Sequence, residues 1–169
     1  PIGLVPTDSD EKGREPIYDK LPSNLPRLMA IGRLDITSEG LLLLTNNGSL
    51  KRHLEMPSTG FLRKYRVRAH GIHQEHLLDR LRAGIFIDDE NFKPMEISLD
   101  RIVGSNIWYR VILKEGRNRE IRRAFDQINL KVNRLIRTSF GVFELGQLAK
   151  GEIQEIPTDL LIKNLKNIN

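Results

Sequence analysis

No cysteine occurs in the 169 residues. That excludes a disulfide framework, a thiolate nucleophile and thiolate metal ligands, and it makes the cytoplasm the expected compartment. Long apolar runs are missing too. The most extended, Leu41 to Leu44, is far too short to cross a bilayer. There is no internal repeat, no low-complexity segment and no glycine-rich loop of the kind that cradles phosphates. No secretory leader is visible, in a chain that begins at Pro1 rather than at a methionine. What is plentiful is charge: 29% of residues are Asp, Glu, Lys or Arg, with a net charge of +5 and 39% hydrophobic residues. Such a balance suits a folded globular domain with an anionic partner, and the length suits one domain with a sizeable core.

Periodicity divides the chain into short strands and helices. The opening "PIGLVPTDSDEKGREPIYDKLP" reads as loop, with a short edge strand near Ile2 to Val5. Leu41 to Thr45, bounded by Gly40 and by "NNG", reads as a buried strand and turn. Ser49 is the expected cap of a helix over "LKRHLEM" that Pro57 stops. "RKYRVRAHG" alternates, with Tyr65, Val67 and Ala69 on one face and Lys64, Arg66 and Arg68 on the other. "HQEHLLDRLRAG" reads as an amphipathic helix ended by Gly84, and "KPMEISLDRIV" and "IWYRVILKEG" as a hairpin turning at Gly104-Ser105-Asn106. In "RNREIRRAFDQI" an apolar stripe of Ile121, Ala124, Phe125 and Ile128 opposes Arg119, Arg122 and Arg123. "KVNRLIRTSFGVFELG" and "EIQEIP" have strand character, and Thr158 opens a last helix. The fold class is α+β, mainly an antiparallel sheet with flanking helices.

Three basic elements stand out: the Arg-rich helix with Lys114 and Arg117 before it, the row Lys64, Arg66 and Arg68, and the pair Arg134 and Arg137. Charge runs are commonly solvated faces, but guanidinium forks match phosphate geometry, so on charge alone a nucleic-acid surface and a merely solvated one stand level. Asp35 follows Arg33 at the mouth of the leucine run. It is either a turn residue paired to an arginine or a carboxylate kept at the rim of a dry pocket for chemistry. Glu39 is a poor second carboxylate for a glycosidase pair, because nothing in the "TSEG" turn aims it at Asp35. His70, His73 and His76 are spaced by three, but Gly71 separates His70 from the others, so no metal site is expected. Trp108 and Tyr109 read as packing residues of the hairpin.

"GRLDITSEGLLLLTNNG" resembles the signature of the pseudouridine synthases that modify single uridines in ribosomal RNA, in the small-subunit and large-subunit branch. Asn47 stands where that signature usually has Asp. "RKYRVRAHG" resembles the family's tyrosine-bearing strand, and "EGRNREIRRAFDQINLKVNRLIRTSFGVFELGQLAKGEIQEI" its third motif and following strands. The resemblance covers nearly all of Pro1 to Ile156. It implies isomerisation of uridine to pseudouridine without metal, nucleotide or redox cofactor. Asp35 would be the catalytic aspartate and Arg122 its basic partner. Tyr65 would stack on the uracil, Leu135 would form an apolar wall, and Arg33 would help flip the nucleotide out. Lys64, Arg117, Arg119 and Arg123 would contact RNA phosphates. The "GRNREIRR" form points to large-subunit (23S) RNA. A small-subunit (16S) enzyme, a catalytically silent RNA-binding module and a nucleoside hydrolase are the alternatives. Residues 1–169 would be the catalytic domain, acting as a monomer, and the small upstream RNA-binding domain of most members is not in this sequence.

Overall fold

A computed structural model describes residues 17–166, with the side chains of Asn164 and Lys166 left aside. The strand expected near Ile2 to Val5 lies outside the described residues. In chain order the elements are β1 (Met29–Ile31), β2 (Glu39–Gly40), β3 (Leu43–Thr45), α1 (Gly48–Glu55), β4 (Arg63–His70), α2 (Glu75–Arg82), β5 (Ile85–Ile87), β6 (Glu90–Phe92), β7 (Glu96–Val103), β8 (Asn106–Leu113), α3 (Glu120–Asp126), β9 (Lys131–Phe140), β10 (Phe143–Glu144) and α4 (Thr158–Lys166). The main sheet runs β10-β9-β4-β8-β7, with β2 added to β9 as its one parallel pairing. The α+β reading with a mainly antiparallel sheet holds.

β4 lies at the centre, and its period-two pattern explains why. Val67 and Ala69 are buried and pair with Tyr109 and Ile107 on β8 and with Leu135 and Val132 on β9. Helices α2 and α3 close this face, contributing Leu78, Leu81, Ile121, Ala124 and Phe125 to the core. On the opposite face Arg66 and Arg68 lie 4.7 and 5.8 Å from the Trp108 ring and cover it. The indole is thus buried beneath cations rather than within a hydrocarbon core. A second apolar cluster of Ile31, Leu41, Leu43, Leu54, Phe61, Phe140 and Phe143 sits at the other end of β9, with Leu161 and Leu165 of α4 packed on it.

Three expectations change. The leucine run is not one strand: Glu39–Gly40 pairs with β9, and Leu43–Thr45 pairs antiparallel with β1. Gly40 makes this crossing possible, because at φ +104° a Cβ there would fall 2.2 Å from the Arg137 carbonyl oxygen. Asn47, not Ser49, caps α1, its Oδ1 accepting the Leu50 amide at 3.0 Å. Finally, "EIQEIP" forms no strand. Ile153 and Ile156 are three apart, which does not fit a period of two, and both are exposed.

Candidate active site

The segment linking β1 to β2 turns tightly, the Ser38 amide donating to the Asp35 carbonyl at 2.8 Å. Gly32, at φ +67°, starts the turn, and its amide donates to Glu55 Oε1 at 2.8 Å, which anchors the segment to α1. Asp35 is thereby presented towards α3 with its side chain 18% exposed. Its Oδ2 accepts three donors: Thr37 Oγ1 at 3.1 Å, Arg119 Nη1 at 2.7 Å and Arg122 Nε at 3.1 Å. Oδ1 accepts none among the described residues. One oxygen is therefore fixed by two cations and a hydroxyl, while the other has no donor from the described residues.

Arg122 also donates from Nη2 to the Thr37 carbonyl (3.1 Å) and from Nη1 to the Val132 carbonyl (3.4 Å). Its fork thus ties the Asp35 turn to β9. Arg119, expected to contact phosphate, donates to Asp35 in the free protein. It does so as the residue before α3, in a left-handed conformation (φ 51°, ψ 32°) that is strained for a side chain of its size. Its spacing of three from Arg122 was the available signal. Arg137, grouped by sequence with the surface cations, is 2% exposed. Arg134 makes a two-pronged pair with Glu39 at 2.9 and 3.1 Å, which holds the Glu39 carboxyl below its usual range. Glu39 therefore has its own partner and is not a second carboxylate for Asp35.

Tyr65 on β4 faces the α3 side, opposite Arg137 of β9 in register. Burial pushes its phenol up, and the nearby Arg137 and Arg63 cations pull against that shift. It is a neutral phenol around pH 7. Leu135, 6% exposed, packs in the main core two residues from Arg137. The Arg33 and Lys64 side chains are exposed and form no ion pair among the described residues. Arg117 pairs with Glu115 at 3.2 Å, and Arg123 with Glu90 at 2.7 Å and Asp88 at 3.2 Å, so both are already engaged with carboxylates. His73 Nδ1 lies 2.9 Å from the Tyr109 hydroxyl, while His70 and His76 are exposed. Among the described residues no cluster of three His, Asp or Glu side chains is placed to hold a metal ion.

Glu120, beside this site, was not foreseen. It is 3% exposed and neither carboxyl oxygen has a hydrogen-bond partner among the described residues. Burial, and then the neighbouring Glu115 carboxylate, push its carboxyl from the ordinary 4.5 up to about 8. Between those values the unfolded chain releases a proton that the folded protein keeps, so stability falls as pH rises through that window and levels off above it. Glu120→Gln is expected to remove this dependence. Its thermal midpoint relative to wild type should rise from pH 5 to pH 9 by about 10 °C, equivalent to about 4 kcal/mol. A difference that stays constant across that range would show that Glu120 is ionised throughout.

Comparison with known proteins gives a consistent result. Residues 2–127 match the family model described as RNA pseudouridylate synthase. A Rickettsia bellii protein described as an uncharacterized RNA pseudouridine synthase is 46% identical over 160 residues, covering 95% of this chain and 69% of the relative. The Haemophilus influenzae ribosomal large subunit pseudouridine synthase B is 41% identical over the whole chain, which spans 46% of that longer protein. A crystal structure of a pseudouridylate synthase superposes with a TM-score of 0.83 at 26% identity, covering 97% of this chain and 70% of the other. The signature around Asp35, the sheet that carries it and the extent of these matches lead to one conclusion: this chain is an enzyme of the RNA pseudouridylate synthase family.

Proposed function

We propose that the protein converts uridine to pseudouridine in large-subunit ribosomal RNA, with Asp35 as the catalytic residue. The observation that carries this reading is the asymmetric environment of its carboxylate: Oδ2 is held by Arg119, Arg122 and Thr37, and Oδ1 accepts from no described residue. That second oxygen either attacks C1′ or removes the C2′ proton, and both routes break the N1–C1′ bond. The detached uracil turns and C5 bonds to C1′. On the first route this breaks the bond to the Asp35 oxygen, and on the second the proton returns from Asp35 to C2′. The C5 proton then leaves and N1 gains one. Atoms and electrons balance within the nucleotide, so the reaction needs no cofactor.

In this reading Tyr65 gives the uracil a stacking face and a hydroxyl near C5, and Leu135 supplies apolar surface that keeps water from the detached base. Arg33 fills the gap left by the flipped nucleotide. Lys64, which forms no ion pair among the described residues, meets RNA phosphates, whereas Arg117 and Arg123 exchange their carboxylate partners to do so. Arg119, with its side chain 46% exposed, joins the phosphate contacts from its place on Asp35. The large-subunit target is supported by the name of the Haemophilus influenzae relative. Ribosomal RNA as substrate favours a cytoplasmic enzyme, and we take it to act as a monomer.

Incubation with separate large- and small-subunit rRNA transcripts, followed by nucleoside digestion and chromatography, tests the proposal. Pseudouridine is expected in the large-subunit transcript alone. Pseudouridine in the small-subunit transcript alone would reassign the substrate. Salt-dependent binding without pseudouridine in either would make the chain an RNA-binding module.

A further inference from the structure

Arg137 is buried to 2% exposure, yet it forms no ion pair with a carboxylate among the described residues. Two of its nitrogens bond backbone carbonyls, and its guanidinium also acts on the Tyr65 phenol as a side-chain hydrogen-bond partner. Nε donates to the Leu41 carbonyl at 2.9 Å and Nη1 to the Arg33 carbonyl at 3.2 Å. Nη2 is buried with no hydrogen-bond partner, and the guanidinium lies 5.5 Å from the Phe140 ring. A buried cation without a counter-ion is a costly way to gain stability, since apolar groups of similar volume commonly do as well or better. Its position suggests another use. Arg33 and Leu41 bracket the segment that carries Asp35, and the Leu41 amide in turn donates to the Arg137 carbonyl at 2.8 Å. Across the sheet, Arg137 stands opposite Tyr65 in register, close enough for its charge to act on the phenol.

We infer that Arg137 is a positioning residue: one guanidinium fixes both ends of the Asp35 segment relative to the strand that carries Tyr65, and so sets the distance between the reacting carboxylate and the uracil-stacking ring. Arg122 grips the middle of the same segment at Thr37, whereas Arg137 grips its ends. A lysine at 137 keeps the charge but replaces the planar fork with a single ammonium, so it does not reproduce the separate Nε and Nη1 donors that hold the two carbonyls. This inference rests on the proposed role of Asp35.

The test compares Arg137→Lys with wild type in the full chain, reading three quantities. These are the single-turnover rate of pseudouridine formation at saturating RNA, the RNA dissociation constant and the thermal midpoint. The rate per folded molecule is expected to fall by at least about 30-fold, while RNA affinity stays within about twofold, because the loss is one of orientation. A merely structural role would lower the midpoint and leave the folded molecules at the normal rate. A rate within about threefold of wild type would overturn the inference. Should Arg137→Lys not fold, wild-type protein labelled with 15N-arginine decides. The Arg137 Nε resonance is expected to shift on binding a substrate transcript and not on binding a non-substrate duplex, and an equal response to both would overturn the inference. Asp35→Asn in the same assay separates the two claims. If it reacts, the role of Asp35 fails. If it is silent while Arg137→Lys reacts normally, only the role of Arg137 fails.

Discussion

Asp35→Asn is expected to reduce pseudouridine formation by at least about 10³-fold while RNA affinity stays within about threefold of wild type. The substitution keeps the shape of the side chain, so the turn closed by the Ser38 amide and the contact from Thr37 persist. What disappears is the charge and the basic, nucleophilic oxygen. The carboxamide oxygen can still accept from Arg119 and Arg122, but the remaining group is an NH₂, which neither attacks C1′ nor removes a proton. RNA binding is expected to survive, because the phosphate contacts proposed for Lys64, Arg117 and Arg123 do not involve position 35. Single-turnover kinetics and filter binding on the same preparation measure the two effects. A joint loss of rate and affinity would instead mean that Asp35 serves to hold the RNA.

The second large effect is expected at Arg122. Arg122→Lys should slow the reaction by about 10²-fold or more, again with RNA affinity little changed. The guanidinium fixes Asp35 Oδ2, the Thr37 carbonyl and the Val132 carbonyl together at 3.1, 3.1 and 3.4 Å. Lysine offers one point charge in place of this planar fork, so at most part of the set survives and the carboxylate gains freedom to turn. Arg119, at 2.7 Å from the same oxygen, supplies a second cation and keeps the loss from being complete. Arg119→Ala should therefore cost less than Arg122→Lys in the same single-turnover assay. The reverse order would make the strained Arg119 the principal partner of Asp35.

The parts of the fold that sequence patterns anticipate are those set by local periodicity. The alternation of β4, the apolar stripe of α3 and the β7–β8 hairpin each need only neighbouring residues to be read. The leucine run could not be read in this way. Its division between β2 and β3 depends on Gly40 passing against the Arg137 backbone, a contact that joins residues nearly a hundred positions apart. The cap of α1 was missed by two residues because "NNGS" offers more than one capping side chain in succession. At the site, Asp35 and its pairing with Arg122 came from the resemblance of the motif, and the 3.1 Å contact agrees. Arginines, however, look alike in sequence. Arg119, Arg123, Arg134 and Arg137 all read as surface cations. In the fold one binds Asp35, two pair with acids and one is buried against backbone carbonyls. Tertiary partners decide between these fates, and no local pattern carries them.

The most direct test of Asp35-dependent isomerisation uses large-subunit rRNA transcripts labelled with tritium at C5 of uridine. Wild-type protein should release tritium in an amount equal to the pseudouridine formed, with no free uracil, and Asp35→Asn should release none. Undiminished release by Asp35→Asn, or free uracil in place of pseudouridine, would contradict the account.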